Sequence, residues 1–135
     1  MTIEKLEQYY GIASNIEAID QQIRTMYNTV SSPMGKQSES HSSTPGNPVE
    51  RAALRITQLK DNLQEEKGRL QMLQEEIEGW LLTVPDMELV SIIRWHYLLR
   101  LNWKQTNIKV YGYPSYDYAR KRVSRYFENL SELSE

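Results

Sequence analysis

The chain contains no cysteine. That excludes a disulfide framework and any thiolate-held metal, and it fits a reducing compartment. Histidine occurs only twice, as His41 and His96. No nucleophile, metal-ligand set or phosphate-cradling glycine loop surrounds either one, so the chain is expected not to be an enzyme and to hold no cofactor or metal. His41 sits among serines and prolines as a bystander, whereas His96, between Trp95 and Tyr97, reads as a hydrogen-bonded packing residue. No run approaches the roughly 18 apolar residues that a membrane span needs. The start, Met1-Thr2-Ile3-Glu4-Lys5, lacks the basic and then apolar order of a signal peptide. The expectation is a cytoplasmic protein with no membrane partner.

What the sequence does have is unevenly distributed charge. The 135 residues, 39% hydrophobic, suffice for one modest core with an extension. Net charge is only -2, yet residues 1–93 carry 8 basic and 14 acidic side chains, residues 94–127 carry 8 and 1, and residues 128–135 add three Glu. A polyanion responds to local charge within about a Debye length, roughly 8–10 Å, so the basic segment matters more than the total. Nucleic acid is the partner that this asymmetry suggests.

Hydrophobic spacing predicts an all-α protein. In segment 1–30, Ile12, Ile16, Ile19, Ile23, Met26 and Val30 step by 3 and 4, a heptad seam on an amphipathic helix over about 2–30. Gly11 interrupts its early turns at a cost of about 1 kcal/mol relative to Ala, so bending or fraying is expected there. Residues 31–48, S-S-P-M-G-K-Q-S-E-S-H-S-S-T-P-G-N-P, have little to bury and read as a flexible linker. Asn47 as N-cap and Pro48 at the first helical position restart order. A long coiled-coil-like helix over 49–82 follows, with Val49, Ala52, Ile56, Leu59, Leu63, Glu66, Leu70, Leu73, Ile77 and Trp80 on its seam. The two helices can form an antiparallel hairpin within the chain or a coiled coil between chains. Glu66 reads as an exposed edge or as a residue that selects register.

Residues 83–135 read as a helix-turn-helix domain. Thr83-Val84-Pro85-Asp86 caps a third helix that runs to about Arg100, Leu101-Asn102 breaks it, and Trp103 to Tyr111 forms a short fourth helix. Gly112-Tyr113-Pro114 turns the chain, and Ser115 caps a fifth helix with Ala119, Val123, Tyr126, Phe127 and Leu130 inward. Asp117, Arg120, Lys121, Ser124 and Arg125 then face outward, and Tyr116 lies at the edge of the buried stripe. In this arrangement the second helix enters the major groove of double-stranded DNA. Candidate contacts are Lys104, Lys109, Ser115, Tyr116, Asp117, Arg120, Lys121, Ser124 and Arg125, with the lysines of the fourth helix on phosphates. Asp117 sits on the first turn, where its charge suits the helix dipole.

The run R-W-H-Y-L-L-R-L-N-W-K-Q-T (Arg94 to Thr106), then Y-G and A-R-K-R-V-S-R-Y-F, resembles the sigma-region-4-like helix-turn-helix of the ArpU/RinA-type phage regulators. The resemblance covers residues 94–127 and the order of helix, gap, long helix and motif. It implies a phage or prophage protein that binds a late-operon promoter, activates transcription and has RNA polymerase as a further partner. Thr106 and Asn107 stand where the family has an apolar and a small residue, and Tyr113-Pro114 occupies the turn. Two alternatives stay open: the DNA-recognition small subunit of a packaging terminase, and a structural coiled-coil protein whose basic domain binds protein. A homo-oligomer through the heptad helices is expected in the DNA-binding readings.

Overall fold

The computed structural model describes residues 1–31 and 48–133. Among them there is no strand, and the order is α1 (Ile3–Ser31), α2 (Pro48–Leu81), α3 (Met87–Ile93) running into a π-helical turn (Arg94–Leu98), α4 (Trp103–Tyr111) and α5 (Tyr118–Leu133). The linker between α1 and α2, with His41 and the Asn47 cap, lies outside the described residues, as does the side chain of Val30. Pro48 does open α2, where its missing N–H removes no intrahelical bond. No described helix is long and apolar enough to cross a membrane.

Packing divides the chain differently from its sequence order. One compact unit joins Met1–Gly11 to Leu70–Glu135, and the other comprises Ile12–Arg69. A boundary at Thr83 would therefore cut through a core. Leu6 and Tyr9 of α1 and Ile77 and Leu81 of α2 share one buried cluster with Leu89, Ile92 and Ile93 of α3 and Ala119 and Val123 of α5. Trp80 extends it, stacked on Phe127 at 5.7 Å and edge-on to Tyr126 at 6.4 Å. Of the stripe that spacing placed inward on α5, Val123 is fully buried, Ala119 almost so, and Tyr126 and Phe127 are partly buried against the core, while Leu130 joins neither buried cluster.

In the second unit the heptad residues meet within the chain. Ile19 and Ile23 of α1 and Ile56 of α2 form its buried cluster, with Met26, Leu59 and Leu63 packed against it. Of the two arrangements that the heptads allow, the chain adopts the hairpin. Glu66 is not an exposed edge: its side chain is 13% accessible and pairs with Arg69 at 2.8 Å, three residues on. Gly11 does not interrupt α1, which is continuous. The chain keeps the helix and bears the entropic cost of the glycine.

Gly68 carries a similar cost in α2, and a Cβ there would meet nothing within 4 Å. Gly68→Ala is expected to stabilise the protein by about 0.5–1 kcal/mol. In urea denaturation this would raise the midpoint with an unchanged slope.

Candidate nucleic-acid interface

The basic segment is built on α4 and α5, and a buried asparagine joins them. Asn102 opens α4 with a capping box: its side chain accepts from the Gln105 amide at 2.8 Å, while Gln105 Oε1 accepts from the Asn102 amide at 3.1 Å. Gly112 ends α4 in the left-handed region at φ 85°, and its N–H donates to the Ile108 carbonyl. A side chain at that φ would be strained. Asn107, fully buried, spans the connection. Its Nδ2 donates to the Tyr113 carbonyl at 2.8 Å, and its Oδ1 accepts from the Ala119 amide at 3.1 Å. One amide group thus holds the turn and caps the next helix from outside it.

The connection Gly112–Asp117 is longer than the three or four residues of a tight helix-turn-helix. Ser115 is a cap as expected, accepting from the amides of Asp117 at 3.2 Å and Tyr118 at 3.1 Å. Because α5 begins only at Tyr118, two placements change. Asp117 precedes the helix rather than sitting on its first turn, and Tyr116 lies in the connection, 63% exposed, rather than beside the buried stripe.

The π turn sets the other side of α4. Arg100 adopts a left-handed φ of 60°, which turns the Leu101 carbonyl back toward the domain. His96 Nδ1–H donates to that carbonyl at 2.7 Å, and Thr106 Oγ1 reaches it at 3.4 Å. The His96 ring lies between Trp103, stacked at 3.5 Å, and Tyr10, stacked at 5.3 Å. Burial pushes the His96 pKa down, and the bond to Leu101 only partly opposes this. The ring is a packing residue, as its sequence context suggested. Trp103 is half-buried in this stack, packed against the core.

Ion pairs then decide which cations remain available. Arg94 pairs with Glu78 at 2.8 Å. Arg122 faces α3, where it pairs with Asp86 and, at 3.0 Å, with Glu88. Asp86 also caps α3 by accepting from the Leu89 amide at 3.1 Å. Burial works against its charge, yet the Arg122 and Leu89 hydrogen bonds outweigh it and hold the Asp86 carboxyl below the usual range. Arg120 pairs with Asp117 at 2.8 Å, an exposed contact worth at most about 1 kcal/mol.

Lys104, Lys109, Lys121 and Arg125 are exposed and, among the described residues, have no carboxylate partner. They are not all together. Lys121 and Arg125 line a concavity of about 330 Å³ with Ser115, Asp117, Tyr118 and Arg122. Lys104 lies 5.9 Å from the centre of the Tyr116 ring, just ahead of α5. Lys109 instead rests over Trp95 at 5.2 Å. Five residues along a helix is a rotation of about 140°, so Lys104 and Lys109 cannot serve one surface. Arg120 and Ser124 line a different hollow of about 280 Å³, with Glu7, Tyr10, His96 and Trp103.

No protein family, curated protein or solved structure matches the chain.

Spacing did not reveal the Asn107 clamp, although Asn102-x-x-Gln105 was readable as a capping box. Asn107→Leu leaves a backbone donor and acceptor unpaired and is expected to cost about 2–5 kcal/mol, measured by chemical denaturation.

The depressed His96 pKa gives stability that is complete above the unfolded value of 6.5 and is lost as pH falls toward the folded value, because the unfolded chain takes up the proton first. His96→Gln should therefore show a smaller fall in Tm than the parent between about pH 7 and about pH 5.

Proposed function

We propose that the chain binds double-stranded DNA through the α4–α5 unit, with α5 presented to the major groove. The observation that carries this reading is the sorting of charge. Arg94 and Arg122 are paired with carboxylates of α2 and the start of α3 and Arg120 is in an exposed pair with Asp117, while Lys104, Lys121 and Arg125 are exposed without a carboxylate partner among the described residues, beside the start and outer face of α5. A merely solvated basic face has no need of such sorting; a surface for phosphates does. Helix-turn-helix docking places the N-terminal part of the second helix against base edges, where Lys121 would face bases or phosphates and Ser124 would lie on the flank.

The regulatory role is a further step. Activation of phage late transcription, with RNA polymerase as a partner, follows from the resemblance over Arg94 to Phe127. Self-association through the heptad seams has less support, because Ile19, Ile23 and Ile56 are used within the hairpin. Val49, Leu54 and Met72 are the apolar residues of α2 that remain exposed.

Three cations per chain on the interface would make log affinity fall with log salt by a slope of about -3. Lys121→Ala or Arg125→Ala should reduce that slope by about one unit, whereas Lys109→Ala, on the far flank of α4, should leave it unchanged. Fluorescence titration at several salt concentrations measures all three. Salt-independent binding, or equal effects of the three substitutions, would remove α5 from the interface.

A further inference from the structure

Tyrosine is the residue that the DNA-binding reading leaves unused. Five tyrosines lie in residues 111–126. Two of them, Tyr111 and Tyr126, are partly buried against the core. The other three are exposed, Tyr113 at 46%, Tyr116 at 63% and Tyr118 at 52%, and all fall in or beside the six-residue connection. An exposed aromatic ring forgoes the stabilisation that burial would give it, and three within six residues make a patch rather than a scatter.

The patch is held in place. Tyr118 meets Tyr111 edge-on at 4.8 Å, Tyr113 lies 6.3 and 6.4 Å from Tyr111 and Tyr118, and Asn107 fixes the Tyr113 carbonyl. Its edges are cationic. Lys104 lies over the Tyr116 ring, while Tyr118 shares its concavity with Lys121 and Arg125. Exposed rings interleaved with cations are what unstacked bases and their phosphates require together. An uninterrupted duplex keeps its base faces stacked and offers such rings only edges and methyl groups.

We propose that Tyr116 and Tyr118 form a stacking platform for unpaired bases, so that the α4–α5 surface prefers DNA containing a short opened stretch over uninterrupted duplex. This rests on the DNA-binding reading above and adds the state of the DNA that is bound. Lys104 and Arg125 hold the backbone on either side of the opened bases, and the connection that presents the rings is tied by Asn107 at Tyr113 and by Ser115 at the start of α5.

Full-length chain would be titrated with three labelled DNAs: a duplex, the same duplex with a short central bubble, and its single strand. The bubble would carry 2-aminopurine to report stacking. The bubble is expected to bind about tenfold more tightly than the duplex, with quenching of the 2-aminopurine. Tyr116→Leu and Tyr118→Leu should abolish the preference and the quenching, so that bubble and duplex bind alike; Tyr116→Phe and Tyr118→Phe, which keep the ring, should retain both. Equal affinity for bubble and duplex overturns the proposal, as does loss in the Phe variants equal to that in the Leu variants, which would assign the rings to hydroxyl contacts. Those outcomes leave duplex binding standing. Failure to bind any of the three DNAs overturns the DNA-binding reading as well.

Discussion

The basic surface depends on one buried side chain, Asn107. A helix start leaves amide donors without partners, and a turn leaves carbonyls without donors. Asn107 meets one of each, Ala119 N–H and the Tyr113 carbonyl, from the interior of α4. A hydrophobic residue there would fill the same space and leave both groups unpaired. The orientation of α5, and with it the placement of Lys121 and Arg125, follows from an amide that has donor and acceptor in the required order.

That constraint accounts for two polar residues in the interior of α4. Thr106 and Asn107 are both fully buried and both are hydrogen-bonded. The long connection with Tyr113-Pro114 and the polar pair beneath it go together. A longer turn exposes more backbone groups inside the domain, and the polar pair supplies partners for them. The π turn follows the same logic on the other side of α4, where the Leu101 carbonyl receives both His96 and Thr106.

Much of this was legible from spacing. The heptad steps of α1 and α2, the Asp86 cap and the inward stripe of α5 are consequences of period and of side-chain chemistry that act within a turn or two. What spacing could not carry was pairing between distant residues. Arg122 meets Asp86 and Glu88 across more than thirty positions, and Asn107 meets Ala119 across twelve. Spacing alone puts Lys104 and Lys109 on different flanks of α4, but which flank lies toward Tyr116 and which toward Trp95 depends on the neighbours each one meets.

The joining of Met1–Gly11 to the C-terminal helices bears on how the molecule is made. During synthesis, the hairpin of α1 and α2 can pair early, because its contacts are closed by one short linker. Leu6 and Tyr9, however, belong to a core that lacks Ala119 and Val123 until α5 has emerged. Closing a loop of more than a hundred residues is slow relative to local helix pairing, although its entropic cost grows only slowly with length. Leu6 and Tyr9 are thus buried only long after their own synthesis, and Leu6, Tyr9 and Ile77 stay open to chaperones or to misassembly in that interval.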